Sequence, residues 1–347
     1  MTVAEHRRGM PQGEQLVLCR DEDSGLEAAI AVDDTTLGPG LGGVRFVPYP
    51  SFDDAVAEAS RLARVMTLKN ALADIPYGGA KSVIVKHDGL DAEPARRSAQ
   101  LRSFAAFVRD LDGAYIPGVD MGTSTEDLTL IKTMAPWVSC DHDDPSPATA
   151  LGVFHSMAAA VRHVSGRDMT GVRVVIQGAG HVGSSLALLL HAHGAQVAVC
   201  DVDTERAARL SEQIGGTVVS PEGCHTAPCD VFAPCAGARV LHPDSIAELR
   251  CSLVVGAAND MLAARSCADL MERRGILYIP DFVSNAGGVV CIHAERARWD
   301  EHTLSSALEG IGRRTTELLD DSVSSSPLDT AELWASERLG HRVTVPD

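Results

Sequence analysis

The sequence predicts an α/β protein built as two domains, and three observations carry that prediction. Its 347 residues are 45% hydrophobic, enough for two cores where a single one would be unusually large. Residues 172–201 read strand, glycine-rich turn, helix and strand in immediate succession. Beyond them, apolar runs at 230–233, 253–255 and 277–280 each end in small or polar residues. That is the pattern of an open parallel sheet with functional groups at the carboxyl ends of its strands. A first domain over residues 1–145, joined by a C-terminal helix over 322–347, and a second over 146–321 follow, with Pro145, Ser146 and Pro147 marking the break.

The charge narrows the partners. A formal net charge of −17 argues against nucleic acid or an anionic membrane, since both favour a basic face, and its even spread along the chain serves solubility. No stretch reaches the roughly 18 uninterrupted apolar residues of a membrane helix. The N-terminus, with Glu5, His6, Arg7 and Arg8, lacks the apolar centre of a signal peptide, so a cytoplasmic location is expected. The nine cysteines contain no C-x-x-C, and Cys224, Cys229 and Cys235 lack zinc-site spacing, which predicts reduced, buried thiols and no metal.

In the first domain, QLVLC, LEAAIAV and GPGLGGVRFV read as two or three strands. The cluster Gly38, Pro39, Gly40, Gly42 and Gly43 makes a tight turn or offers bare backbone to an anion, with the turn favoured. Ser51 caps a helix with Val56, Ala59, Leu62 and Met66 on its apolar face, and this helix delivers Lys69 among Val65, Met66, Leu72 and Ala73. Lys81 follows Gly78, Gly79 and Ala80 and opens the run Val83–Val85, placing its ammonium at an element end. Two partly buried ammonium groups repel, so one should titrate low enough to act as a base while the other holds an anion. The competing reading is that each lysine snorkels its head to water. A helix over 97–110 follows, then Asp120 between Gly118 and Gly122, a turn former by default, and a helix start at Thr123 to Glu126.

In the second domain an apolar helix over 148–164 leads to VRVVIQ, the run Gly178-Ala179-Gly180-His181-Val182-Gly183, a helix ended by Gly194, and QVAVC closing on Asp201. The first glycine makes the turn, the second admits a pyrophosphate to the helix N-terminus, and the third lets helix pack on strand. Asp201 should accept hydrogen bonds from the adenosine ribose, and with Asp203 and Glu205 beside it NAD is preferred over NADP, although Arg206 leaves room for the latter. The pieces ending in Ala236, Asn259 and Asn285 follow. The tail from Arg296 reads as helices that pack back on the first domain.

Taken together, GPGLGGVRF, MTLKNALADIPYGGAKSVI, PGVDMGTSTEDL, SPATALGV, VVIQGAGHVGSSLA, CDVFAPCA, VVGAAND and PDFVSNAGG resemble the leucine, phenylalanine and valine dehydrogenases, the smaller relatives of glutamate dehydrogenase, over residues 30–340. The resemblance implies that Gly42, Gly43 and Lys69 hold a substrate carboxylate and that Lys81 is the base that activates water. It implies that Asp120 exchanges a proton with the substrate amine, that Thr149 meets the nicotinamide end, and that Asn259 and Asn285 orient cofactor and substrate. Leu41 and Val289 would line the side-chain pocket. The family's two-domain cleft and homo-oligomers of two to eight subunits are implied with it.

The expected function is therefore NAD-dependent oxidative deamination of an apolar L-amino acid, phenylalanine-like or branched-chain, to a 2-oxo acid and ammonia. Two departures bear on it. Asp260 stands where the family has a second asparagine, which opens the alternative of a non-standard amino or 2-oxo acid, and the connector at 141–147 is short. A catalytically silent nucleotide-binding protein is the remote alternative, disfavoured because such a protein has no need of Lys69, Lys81 and Asp120 together.

Overall fold

A computed structural model describes residues 14–139, 144–322 and 325–345; Glu5 to Arg8 and residues 141–143 of the connector lie outside them. The chain divides into two compact units, Met1–Asp144 with Arg338–Pro346, and Pro145–Glu337.

The first unit is a five-stranded mixed sheet in the order β1 (Gln15–Asp21), β2 (Leu26–Asp34), β4 (Gly78–Val85), β3 (Gly40–Val47), β5 (Tyr115–Val119). The β1–β2 and β2–β4 pairs are antiparallel, while β3 runs parallel to both β4 and β5. Its two faces are packed differently. On one, α2 (Pro94–Asp110) and α3 (Thr125–Lys132) cover bulky residues including Leu101, Phe104, Leu128, Phe46 and Tyr115. On the other, α1 (Phe52–Leu72) lies on a layer made mostly of alanine: Ala29 and Ala31 of β2, Ala55, Ala59 and Ala63 of α1, with Val83 and Val85 of β4. Alanines four residues apart form one helical stripe, and small side chains on both partners draw helix and sheet close. Ser51 caps α1 by accepting from the Asp54 N–H, as its sequence predicts.

Two local expectations are corrected here. Gly40, Gly42 and Gly43 do not form the favoured turn; they belong to β3, a strand paired on both sides, and only Gly38 (φ 151°) lies in the turn before it. Lys81 is the fourth residue of β4 rather than at an element end, because the strand already starts at Gly78. Runs of glycine look like turns locally, yet here they strip the strands of side chains where α1 approaches.

The second unit is a six-stranded sheet, all parallel, in the order β11 (Leu277–Tyr278), β10 (Leu253–Val254), β9 (Val231–Pro234), β6 (Arg173–Gln177), β7 (Gln196–Cys200), β8 (Thr217–Val218). Its helices include α4 (Ser146–Ser165), α5 (His181–Ala192), α6 (Thr204–Ile214), α10 (Gly287–Ala297), α11 (Glu301–Asp321) and α12 (Pro327–Leu339), with the shorter α7 (Pro243–Glu248), α8 (Ser266–Arg273) and α9 (Asp281–Ser284) between β9 and α10. This is the doubly wound arrangement expected, with its strand order reversing at β6. The return crossing falls after Glu337 rather than near 322, and the tail helices do not join the first unit. Arg265 of the second unit holds both Asp329 and Glu332 of α12, and only the last residues go over, with Arg338 pairing Asp74 and His341 lying 3.3 Å from Asp34. Among the described residues no helix is long and apolar enough to cross a membrane.

The close approach of α1 to β4 is testable. A Cβ on Gly79 would lie 2.2 Å from the Thr67 nitrogen and 2.4 Å from the Ala63 carbonyl oxygen, both helix backbone. Gly79→Ala should destabilise the protein by about 3 kcal/mol, read as a lower urea midpoint, whereas an unchanged midpoint would mean that α1 can lift away at little cost.

Candidate functional site

Six of the sequence-predicted residues, Leu41, Gly42, Gly43, Lys69, Lys81 and Asp120, lie in the first unit, and an arginine that sequence reading missed touches one of them. Lys81 leaves β4 on the same face as Val83, toward α1, since side chains alternate along a strand. Asp120 follows directly on β5, and the Lys81 Nζ lies 2.5 Å from its Oδ2. The same oxygen accepts from the Arg45 Nε at 3.1 Å. Arg45, on β3, also pairs through Nη1 with Glu58 of α1, and Glu58 in turn accepts from the Tyr49 hydroxyl at 3.0 Å. The Asp120 loop is held by Thr123, whose hydroxyl donates to the Val44 carbonyl at 2.8 Å and accepts from the Asp120 N–H at 3.0 Å. Gly43 makes room for this loop: a Cβ there would stand 2.6 Å from the Asp120 Cβ.

The electrostatics follow from burial. Lys81 is 5% exposed, and removal from water pushes its amine below the ordinary lysine range; the Asp120 carboxylate opposes that fall and the Arg45 charge adds to it. Burial alone would raise Asp120, but the charges of Lys81 and Arg45 outweigh it and hold the carboxyl well below the usual carboxylate range. Arg45 is itself raised by Asp120 and Glu58 against its burial. The cation that disfavours charge on Lys81 is thus Arg45, whereas sequence reading assigned that part to the second lysine.

Lys69 sits in the last turn of α1 at 5% exposure, with Val65, Met66 and Leu72 buried around it as its spacing predicts. The helix end that carries it is anchored by Asn70, whose amide donates to the carbonyls of Leu41 and Gly78, at the starts of β3 and β4. Gly42 and buried Leu41 belong to that same segment of β3.

In the second unit the nucleotide motif has the predicted form. Gly178 adopts φ 107°, where a Cβ would press on Ala236, and a Cβ on Gly183 would strike the Gly178 carbonyl. Gly180 has open space above it and caps α5 without a side chain, so the amides of His181, Val182 and Gly183 start a helix at an open N-terminus fit for a pyrophosphate. Asp201 is buried with one oxygen on the Ala179 N–H at 2.7 Å and the other on the Asp203 N–H and Arg206 guanidinium, each at 2.8 Å. Arg206, the residue that left room for a 2′-phosphate, is therefore engaged by Asp201. A second group gathers Thr149, Asn259 and Asn285. The Asn285 amide donates to Asn259 Oδ1 at 3.2 Å and to the Ala257 carbonyl, and a Cβ on Gly288, one residue before buried Val289, would meet the Thr149 hydroxyl at 2.8 Å.

Asp260, the departure from the family pattern, has φ 55° and gives its N–H to Asp281 at 2.7 Å, while its Oδ2 lies 3.6 Å from the Arg239 Nε. Its carboxylate meets a cation supplied by its own chain.

The chain is similar to known proteins over most of its length. The profile of the Glu/Leu/Phe/Val dehydrogenase dimerisation domain matches residues 13–136, and that of glutamate/leucine/phenylalanine/valine dehydrogenase matches 143–205 and 204–327. The leucine dehydrogenase of Thermoactinomyces intermedius is 38% identical over 305 residues, covering 86% of this chain and 82% of that one. The phenylalanine dehydrogenase of the same organism is 39% identical over 307 residues, covering 86% and 83%. The crystal structure of L-tryptophan dehydrogenase from Nostoc punctiforme superposes with a TM-score of 0.79 at 33% identity, covering 97% of this chain and 98% of that one.

Because Asp120 is held below its ordinary range, its ionised form stabilises the fold above about pH 4 and loses that contribution as pH falls through the lowered folded value. Asp120→Asn should therefore cost about 3 kcal/mol at neutral pH, where Lys81 and Arg45 lose their buried partner, and less at about pH 3. Urea midpoints at the two pH values check this; an equal loss at both would refute the sign.

Proposed function

The chain belongs to the Glu/Leu/Phe/Val dehydrogenase family, and from that membership and its site we propose that it catalyses the reversible NAD-dependent oxidative deamination of an apolar L-amino acid, phenylalanine-like or branched-chain, to the 2-oxo acid and ammonia. The observation that carries the reading is the buried contact of Lys81 with Asp120 at 2.5 Å, with Arg45 on the same carboxylate. A lysine lowered by burial gives up its proton more readily than an exposed one and so can serve as a base, and a carboxylate touching it is a partner for proton exchange.

Lys69, with Gly42 and Gly43, holds the substrate carboxylate, and Asp120 takes the proton that frees the substrate amine. Bound at the second unit, NAD supplies the hydride acceptor for the Cα hydrogen. Lys81, neutral, then removes a proton from the water that adds to the substrate imine, and Asp120 returns a proton to the leaving ammonia. Leu41 and Val289 contribute apolar surface to side-chain recognition; each methylene in such a pocket discriminates by only about 1–3 kcal/mol, which is why branched-chain and aromatic substrates are carried together. Gly178, whose own N–H goes to the Cys200 carbonyl, makes the turn beside Ala236, the amides of Gly180, His181, Val182 and Gly183 hold the pyrophosphate, Asp201 takes the ribose hydroxyls, and Thr149, Asn259 and Asn285 orient the nicotinamide end. Arg206 held on Asp201 favours NAD over NADP. A carboxylate beside a carboxylate substrate motivates the alternative of a non-standard substrate; Arg239, 3.6 Å from the Asp260 Oδ2, supports the standard one by setting a cation of the same chain beside that carboxylate. A homo-oligomer formed through the first unit fits the dimerisation-domain profile that covers it.

A panel of L-amino acids assayed for NADH formation should show turnover with leucine-, valine- or phenylalanine-like side chains, and none with acidic ones. Lys81→Ala should lower kcat by about 10²–10⁴-fold while NADH binding, read by fluorescence titration, stays within twofold of the parent; full turnover in that variant would rule out Lys81 as the base. Asp201→Ala should raise the KM for NAD at least about tenfold and leave the amino-acid KM unchanged, reflecting the lost ribose contact.

A further inference from the structure

Arg45 is a buried ion of the first unit that touches the carboxylate of the Lys81–Asp120 pair and that the reaction scheme leaves without a part. It is 7% exposed on β3, where burying a guanidinium is unfavourable unless its geometry is used. Its fork faces two carboxylates from different elements: Nε reaches Asp120 Oδ2, the oxygen that also touches Lys81, and Nη1 reaches Glu58. Glu58 is fixed from further sides by the Tyr49 hydroxyl at 3.0 Å and by Arg61 at 3.7 Å. A planar fork held at one end can hold a carboxylate at the other in one orientation, which a lysine point charge cannot do.

We propose that Arg45 is a positioning residue for the deamination: anchored on Glu58, its guanidinium fixes the Asp120 carboxylate against Lys81 and keeps the proton of that pair exchangeable. The inference deepens the function proposed above and rests on it. The charged groups that face Lys81 are Asp120 after β5, Arg45 from β3 and Glu58 from α1, which also carries Lys69 in its last turn; β2 pairs Ala31 with Lys81 and presents an alanine there. Of these, Arg45 is the cation in direct contact with the carboxylate that Lys81 touches. Without it Asp120 would lose the second cation on its Oδ2, and the Lys81 amine, free of that neighbouring positive charge, would hold its proton to higher pH. With it, Asp120 divides its oxygen between two donors and Lys81 can be neutral when water must be activated.

The test uses the full-length enzyme, NAD and whichever apolar L-amino acid the parent turns over best, with kcat/KM measured across pH. If the parent turns over no amino acid, the proposed function fails and Arg45 is not at issue. With an active parent, Arg45→Met should lower kcat at least tenfold and move the acid limb of kcat/KM upward by at least half a pH unit, with NADH binding and the circular dichroism spectrum unchanged. Arg45→Lys, which keeps the charge without the fork, should bring the limb back to within a few tenths of a unit of the parent while kcat remains several-fold low. An Arg45→Met limb that stays in place, whatever kcat does, overturns the proposal. Should that variant not fold, Arg45→Lys decides: parental kcat overturns the inference, and reduced kcat with an unmoved limb and unchanged amino-acid KM supports it.

Discussion

The contact on which the rest of the first unit depends is the one between the Lys81 amine and the Asp120 carboxylate, 2.5 Å apart and largely out of water. An isolated ammonium in that place would be strongly penalised, and so would an isolated carboxylate. Together, with Arg45 and Glu58 completing an array of two cations and two anions, they are tolerable, and the balance between burial and pairing tunes the lysine. A site with the carboxylate alone would hold the lysine protonated; burial and the second cation counter it.

That array requires the sheet to be thin where it stands. Ala29, Ala31, Ala55, Ala59 and Ala63 let α1 settle close to β2 and β4, and Gly79 removes the last side chain between helix and strand. Gly43 does the same for the loop after β5. The opposite face carries Phe46, Phe104 and Tyr115 and supplies the apolar mass that such a small-residue layer cannot. One face of the sheet thus stabilises while the other is shaped around charged groups, a division seen where functional residues are mounted on a rigid scaffold.

Much of this was legible in the residue order. The strand, GAGHVG turn, helix and Asp201 of the second unit are local, since each glycine answers a backbone demand within a few residues, and the structure reproduces them at Gly178, Gly183 and the Asp201–Ala179 hydrogen bond. Lys69 was found because its neighbours at three and four residues' distance are apolar, a helical periodicity that survives folding. Arg45 was not found, because in GGVRFV an arginine between apolar residues reads as a strand residue with its head in water; nothing local shows Glu58, thirteen residues on, or Asp120, seventy-five residues on, turned toward it. The glycines at 40, 42 and 43 misled for the same reason: their meaning lies in the strands and loop that pack on them, not in their own run.

The sequence by itself determined the two α/β cores, the nucleotide loop, the helix that carries Lys69 and the set of motifs that places the chain in its family, because those depend on short-range backbone chemistry and hydrophobic period. Only the tertiary structure decided which charges meet. The partner of Lys81 and the cation that tempers it are fixed by strand order and register, which bring residues distant in the chain within hydrogen-bond reach, and no periodicity records that. The pairing of Arg206 with Asp201 and the approach of Arg239 to Asp260 depend on how the loops after the strands fold.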